Sequence, residues 1–285
     1  MTGAETDRLR DPRELHRLGY AGPLMETATV RWEGNTATDQ VEQIVEETPV
    51  AIVYNRIPHV VMMATPADLE DFALGFSLTE ELIQSPEDLE HLEIQRYSKG
   101  VEIQATVAER CGAAIAERTR RLTGRTGCGI CGADSVDAVL KQIRPVAARG
   151  TITTGAIQRA LEHLAANQPL NAATGAVHAA GWCGLDGVPT LIREDVGRHN
   201  ALDKLVGAAV AAKVDPSSGF VVVTSRASFE MVQKAAVLGA PLLAAISGPT
   251  GLAVRVARES GLTLVGYARR GRLTGYTHPE RLVAG

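Results

Sequence analysis

The sequence of 285 residues has few aromatic residues, few cysteines, no excess of positive charge and no long apolar run. Aromatic residues make up 4% of the chain, so we expect a core of mostly Ala, Val, Leu and Ile. Four cysteines are too few for a disulfide scaffold and favour a protein with reduced thiols. The net charge of −4 argues against a general nucleic-acid-binding protein, because such proteins carry a basic surface.

Targeting and membrane signals are also missing. Residues 1–20 are charged and contain no apolar stretch of the signal-peptide type. The longest apolar run, residues 235–246, is interrupted by Gly239 and Pro241 and is too short to cross a bilayer. These absences predict a cytoplasmic protein with no membrane-spanning segment.

The apolar pattern predicts two folded parts. Residues 26–110 read as an α+β domain, in which Thr65 caps a helix that runs to about Ile83. Residues 151–285 alternate strands and helices in the order α-β-β-α-β-α-β, and their apolar strands predict a mixed sheet covered by helices. Residues 1–25 are predicted to be a flexible tail. Residues 111–150 are predicted to form an Arg- and Gly-rich loop followed by a linking helix.

That loop contains a pair of cysteines, Cys128 and Cys131, in the stretch TGRTGCGICGAD. Interleaved glycines keep a backbone mobile, and nearby arginines and a helix predicted over residues 136–143 would favour thiolates. Sulfur or redox chemistry, a zinc site and a structural role all remain open. One such motif supplies two of four zinc ligands, and no strand leads into it as in thioredoxin-like proteins. Cys111 and Cys183 are isolated and are expected to be buried small hydrophobes.

Three charged motifs follow predicted strands, which is where α/β sheets commonly bind ligands. They are REDVGRHNALDK (residues 193–204), TSRAS (residues 224–228) and YARRGR (residues 267–272). Backbone N–H groups and Arg side chains there could hold phosphate. Each motif alone could equally be a solvated helix start or turn. His178, on the strand before the first motif, is more typical of a core histidine. Three motifs at one edge predict a single anionic ligand.

Several long blocks resemble one known family. The blocks are NRIPHVVMMATPADLEDFALGFSLTEELI, GCGICG, TGAVHAAGWC, REDVGRHNALDK, SRASFEMVQKAA, SGPTGLAVRVARESGLTLVGYARRGR and YTHPERL. They are similar to the FdhD family of formate dehydrogenase accessory sulfurtransferases, over roughly residues 28–280. The resemblance implies that Cys128 carries a persulfide received from a cysteine desulfurase, with Cys131 assisting. It also implies that a cofactor-binding segment is formed by Tyr267, Ala268, Arg269, Arg270, Gly271 and Arg272.

The cofactor implied by the family is the molybdenum (or tungsten) bis-guanine-dinucleotide pterin, and the client is formate dehydrogenase. A homodimer is also implied. The second half resembles the cytidine deaminase fold, in which H-x-E and P-C-x-x-C motifs bind zinc. Here His199, Asn200 and Ala201 hold the first place and residues 225–228 the second, so the Glu and both Cys are missing. We therefore expect no zinc and no deaminase chemistry, and a pocket that binds a guanine nucleotide instead.

Overall fold

The computed structural model describes residues 22–122, 145–147 and 150–285. The cysteine pair, most of the predicted tail and the helix predicted over residues 136–143 lie outside the described residues. No helix in the described ranges combines the length and the apolar character needed to cross a membrane.

The N-terminal half contains a hairpin and a separate sheet. Strands β1 (Leu24–Glu33) and β2 (Thr36–Val45) form the hairpin. Strands β3 (Thr48–Tyr54), β4 (Ile57–Ala64), β5 (Leu89–Tyr97) and β6 (Gly100–Val107) form a sheet of order β4-β3-β6-β5. Its helices are α1 (Leu69–Thr79), the 3-10 turn Pro86–Asp88 and α2 (Glu109–Leu122). The strands and α1 bury a core that includes Ile52, Phe72 and Ile103.

Two predictions for this half are wrong. Thr65 does not cap a helix, because α1 begins four residues later and Asp68 occupies its N-cap position. Residues 111–122 are not a loop, because they continue helix α2. Cys111 and Ile115 lie one turn apart on α2 and are buried in the same core as β3 and α1, which explains why this Arg-rich stretch is helical.

The C-terminal half follows the predicted order with one added helix and three added short strands. In chain order it contains β7 (Ile152–Thr153), α3 (Thr154–Ala166), the added helix α4 (Pro169–Thr174), β8 (His178–Gly184), β9 (Pro189–Asp195), α5 (Arg198–Ala211), the 3-10 turn Pro216–Ser218, β10 (Gly219–Val223), α6 (Phe229–Val237), β11 (Leu242–Ala245), α7 (Gly251–Ser260), β12 (Thr263–Arg269), β13 (Arg272–Gly275), the 3-10 turn Pro279–Arg281 and β14 (Leu282–Val283). Thr153 caps α3, because its hydroxyl accepts a hydrogen bond from the Ala156 N–H (3.0 Å).

The main sheet has the order β13-β12-β11-β10-β8-β9 and is mixed. Strands β10, β11 and β12 are parallel, whereas β8, β9 and β13 pair in antiparallel fashion. Helices α5, α6 and α7 pack on one face around Trp182, and α3 packs on the other face. The mixed α/β class is therefore confirmed, and the closer likeness to cytidine deaminases stays a prediction.

The two halves meet where α1 crosses α5. A Cβ added to Gly75 would lie 1.8 Å from the Asp203 carbonyl oxygen, and one added to Gly207 would lie 1.9 Å from the Asp71 carbonyl oxygen. Neither clash can be relieved by turning a side chain, because both involve backbone atoms. The two glycines therefore allow the helix backbones to touch and hold the halves together closely.

Candidate functional site

Three loops join at one edge of the main sheet. Because β10, β11 and β12 are parallel, the residues that follow each of them meet at the same edge. The Thr250 N–H donates to the Ala227 carbonyl oxygen (3.0 Å), and the Tyr267 N–H donates to the Ser247 carbonyl oxygen (3.1 Å). The TSRAS loop, the loop of residues 246–250 and the start of YARRGR thus form one hydrogen-bonded rim, which we call the arginine rim.

The YARRGR segment is a β-hairpin turn. Arg269, the last residue of β12, pairs with Arg272, the first of β13, and Arg270 and Gly271 form the turn. Gly271 has φ +70°, a conformation that side chains with a Cβ rarely adopt. Helix α3 supports the turn, because the Gly271 N–H donates to Gln158 Oε1 (3.2 Å) and Gln158 Nε2 donates to the Arg272 carbonyl oxygen (3.3 Å).

The three arginines of this turn project away from the core. Ala268, directly before them in the chain, is fully buried and anchors the segment in the core, whereas Arg269, Arg270 and Arg272 are exposed. Within the described ranges none of the three guanidinium groups has an acidic partner. They are therefore available for charge-assisted, bidentate hydrogen bonds to an anionic ligand.

Tyr267 completes this part of the rim. Its φ of +49° is unusual for a residue with a Cβ, and it falls in a bulge where the β12–β13 register shifts. The ring lies against Gly248, where an added Cβ would be 2.6 Å from Tyr267 Oη. A surface cavity of about 230 Å³ is lined by Tyr267, Arg269 and Arg272. The bulge thus brings the Tyr267 ring and the side chains of Arg269 and Arg272 to one cavity.

The TSRAS loop contributes in part. Thr224 Oγ1 accepts a hydrogen bond from the Ala179 N–H (2.9 Å), so it ties β10 to β8. Ser228 occupies the N-cap of α6, and Arg226 is exposed. Arg226 is therefore the member of this loop that could contact a ligand.

The REDVGRHNALDK motif has a role other than the ligand binding that the sequence predicts for it. Lys204 and Asp195 are fully buried and form an ion pair, with Nζ 2.7 Å from Oδ2. Lys204 also donates to the Thr65 carbonyl oxygen (2.9 Å), and the Thr65 N–H donates to Asp195 (3.0 Å). Asn200 donates to the Met63 carbonyl oxygen (2.8 Å). These charges join the two halves of the chain and do not face a ligand, which favours the structural reading for them.

A second buried cation strengthens the same junction. Lys234 of α6 lies 2.8 Å from Asp203 Oδ1 and donates to Thr79 Oγ1 (2.9 Å) and Glu80 Oε1 (3.2 Å). Burial raises the pKa of Asp203, and Lys234 opposes that rise. Both lysines therefore connect α1 and its flanking residues to the C-terminal half.

His199, near the start of α5, lies beside Glu230 of α6. His199 Nε2 is 3.4 Å from Glu230 Oε2, and this contact with His199 lowers the pKa of Glu230 to about 2, with help from the Ser228 hydroxyl. Burial lowers the pKa of His178, and the charges of Arg198 and His199 lower it further. In the part of the chain that the structure describes, no group of three or more His, Cys, Asp or Glu residues is placed to hold a metal ion.

The cysteines fall into two groups. Cys111 and Cys183 are free and buried, as predicted. Burial raises the pKa of Cys183 to about 12, so its thiol is protonated at neutral pH. Cys128 and Cys131 lie outside the described residues, and their roles stay predictions.

Two contributors were not predicted from the sequence. Gly248 provides the surface on which the Tyr267 ring lies, and Gln158 supports the turn from α3. The sequence SGPTG, directly after an apolar strand, is a signal for Gly248, because small residues and Pro mark a strand-end loop before a helix. Gln158 has no such signal, since it approaches the turn only in the folded structure.

Together, the mixed sheet and the arginine rim define an α/β protein with exposed arginines along one edge of its main sheet. The chain matches the FdhD/NarQ family over residues 45–283 and belongs to that family. It is 49% identical over 264 residues to the sulfur carrier protein FdhD of Xanthomonas campestris pv. campestris strain B100, with 93% of this chain and 94% of that protein covered. It is 46% identical over 274 residues to the sulfur carrier protein FdhD of Bordetella petrii, with 94% and 99% covered.

A solved structure supports the same assignment. The crystal structure of a protein from Desulfotalea psychrophila, described as a formate dehydrogenase accessory protein, superposes with a TM-score of 0.73 at 25% identity. The match covers 92% of this chain and all of that chain. The resemblance to the FdhD family seen in the sequence is thus confirmed.

Proposed function

We propose that this protein is a sulfurtransferase that carries sulfur as a persulfide on Cys128. A cysteine desulfurase supplies the sulfur, and the acceptor is the molybdenum or tungsten bis-guanine-dinucleotide pterin cofactor of a formate dehydrogenase. Support comes from relatives that are named sulfur carrier proteins and from the C-x-x-C motif. The observation that carries the proposal is the arginine rim.

The rim suits the phosphates of this acceptor. Each nucleotide arm carries a pyrophosphate, and Arg269 and Arg272 are exposed cations whose side chains line one cavity of about 230 Å³. Arg270 is exposed at the same turn, and Arg226 on the neighbouring loop. The Tyr267 ring, 43% exposed, offers a flat surface for a base or pterin ring. Such a ligand needs an aromatic ring and exposed cations that are not already paired with a carboxylate. Among the described residues, the arginine rim has both.

The sulfur chemistry uses two thiols. The Cys128 thiolate attacks the outer sulfur of the donor's persulfide, the donor's S–S bond breaks, and the donor thiolate leaves. The Cys131 thiolate then attacks the inner sulfur of the Cys128 persulfide. A Cys128–Cys131 disulfide forms and hydrosulfide is released to the acceptor, so the two electrons come from the thiol pair. A cellular dithiol reduces the disulfide for the next cycle.

Two other functions make different predictions. A non-catalytic chaperone would use the arginine rim to hold the cofactor and would not need either cysteine. A zinc or redox module would need Cys128 and Cys131 but not the rim. The chaperone is the stronger of these alternatives, because the rim by itself accounts for cofactor binding.

Mass spectrometry after incubation with a cysteine desulfurase and cysteine tests sulfur loading. We expect one added sulfur atom on a peptide that contains Cys128, and none in Cys128→Ala. Cys183→Ala is the matched control and should load like the wild type, because that buried thiol is protonated at neutral pH. Loading of Cys128→Ala at the wild-type level would contradict the proposed role of this residue. No loading of the wild type would favour the chaperone.

Binding of guanosine diphosphate by calorimetry tests the rim. The double variant Arg269→Ala/Arg272→Ala should bind at least tenfold more weakly, because charge-assisted hydrogen bonds contribute about 1.5–3 kcal/mol each. Arg31→Ala, which removes an exposed arginine from the β1–β2 hairpin, is the control. Equal affinities for both variants would place the nucleotide elsewhere.

A further inference from the structure

The β1–β2 hairpin is a separate two-stranded element. Its ten residue pairs run from Leu24↔Val45 to Glu33↔Thr36, and in the described ranges it pairs with no other sheet. Isolated two-stranded hairpins are marginally stable in water, so a hairpin of this length needs contacts on at least one face. In the structure, β2 packs against α4, and most of the rest of the hairpin is exposed.

The two faces of the hairpin differ sharply. Cross-strand partners share a face, so the pairs Ala28↔Val41 and Trp32↔Ala37 lie on the same side as Val30. Trp32 is 67% exposed, Val41 68% and Val30 52%. We call this side the hairpin face. The opposite side is more polar, with several threonines and an Arg31–Glu42 ion pair of 2.9 Å, although Met25 and Ile44 also lie on it.

The hairpin is also strongly acidic. Residues 24–47 contain six carboxylates and one cation, Arg31, which is already paired with a carboxylate. This short span carries an excess of five negative charges, more than the net charge of −4 for the whole chain. The carboxylates are Glu26, Glu33, Asp39, Glu42, Glu46 and Glu47. Two of them, Glu26 and Asp39, lie on the hairpin face beside the apolar residues.

We propose that the hairpin face is a docking surface for a protein partner that presents an apolar patch within a ring of Lys and Arg. Exposed apolar patches with polar rims mark interaction sites, and an exposed Trp is a common anchor in such interfaces. Charge complementarity selects a basic partner. A second copy of this chain fits poorly, because two hairpin faces would bring Glu26 and Asp39 of both copies together.

The position of the hairpin connects it with the proposed function, on which this inference rests. Helix α4 supports β2, and the Leu170 and Asn171 N–H groups donate to Glu194 near the end of β9 (2.9 and 2.8 Å). That end of β9 lies at the same edge of the sheet as the arginine rim, four strand spacings or about 20 Å from β12. A protein docked on the hairpin therefore reaches the edge where sulfur is delivered. The sulfur donor and the client enzyme are the two proteins that must do so.

Binding of the full-length protein to a purified cysteine desulfurase, and separately to apo formate dehydrogenase, tests the proposal. Trp32→Ala should weaken binding to one of them at least tenfold, as expected for an aromatic anchor. Glu26→Lys/Asp39→Lys should weaken the same complex and flatten its dependence on salt. Leu185→Ala, which truncates another half-exposed apolar side chain, and Thr38→Ala on the opposite side are controls and should bind like the wild type. Circular dichroism confirms that each variant is folded.

The outcomes separate this inference from the proposed function. Wild-type affinity of Trp32→Ala for both proteins would overturn the docking surface, even if Cys128 is loaded normally. A Trp32-dependent dimer, seen by sedimentation, would also overturn it, because the face would then bind a second copy. Weakened binding to either protein supports the proposal. Sulfur loading of Cys128 at saturating desulfurase reports on the proposed function alone.

Discussion

Replacing Lys204 with Met should lower the stability of the protein by about 3 kcal/mol. Removing one partner of a buried ion pair typically costs about 3–5 kcal/mol, because the other charge is left buried. Lys204 and Asp195 are both fully buried, so solvent cannot replace the lost partner. We place the cost at the low end, because Asp195 keeps hydrogen bonds from the Gly197 N–H (2.7 Å), Asn200 (3.0 Å) and the Thr65 N–H (3.0 Å). Met has a similar length to Lys and leaves little empty volume.

Urea denaturation followed by circular dichroism measures this loss. A loss of about 3 kcal/mol corresponds to more than a hundredfold change in the unfolding equilibrium. Lys99→Met, which removes an exposed lysine, is the control and should stay within about 0.5 kcal/mol of the wild type. The double variant Asp195→Asn/Lys204→Met should lose less than the sum of the two single variants, because no unpaired charge remains. A loss below about 1 kcal/mol in Lys204→Met would refute the view that this pair fixes the junction.

Three further predictions follow from the rim, the His199 pair and the buried thiol. Gly248→Ala should push the Tyr267 ring from its place, since the new Cβ would lie 2.6 Å from Oη. Calorimetry should then show weaker binding of guanosine diphosphate, whereas the free energy of unfolding should stay nearly unchanged. Glu230 has its pKa lowered to about 2, so the stability that it contributes is present above its ordinary pKa near 4.5 and is lost as pH falls from there towards 2. Glu230→Gln should therefore lose less stability than the wild type over that range. Cys183 should resist iodoacetamide in the native protein at pH 8, as peptide mass spectrometry would show, because its pKa is about 12; rapid alkylation would contradict its burial.

The sequence predicted the C-terminal half well because each of its elements carries a local signal. Apolar strands such as Gly219–Val223 alternate with capped helices, and Thr153 caps α3 as its residue type and position indicate. The order of strands and helices therefore follows from residues close together in the chain. The exposed arginines at the β12–β13 turn were found in the same way, since a Gly among arginines after a strand marks a turn.

The role of charged residues in the junction could not be predicted in this way. Asp195 and Lys204 lie where a strand ends and a helix begins, as ligand-binding residues often do. The residue that covers them, Thr65, lies 130 residues before Asp195 in the chain. A local pattern contains no information on such a contact. The same reason explains the error at Thr65, which resembles a helix cap but instead donates and accepts hydrogen bonds across the junction.

The junction also relates the described residues on the two sides of residues 123–144. Helix α2, which precedes them in the chain, is anchored in the N-terminal core through Ile115. They are followed by Val146, whose N–H donates to the Ser260 carbonyl oxygen (2.7 Å) and whose side chain belongs to the C-terminal core. Ile115 and Val146 therefore belong to different halves of the protein. Because Lys204, Lys234 and the Gly75–Gly207 contact lock the halves together, Ile115 and Val146 keep a constant separation. Charges whose sequence pattern resembles a ligand site thus hold the two halves together, and the arginines at the edge of the main sheet remain exposed.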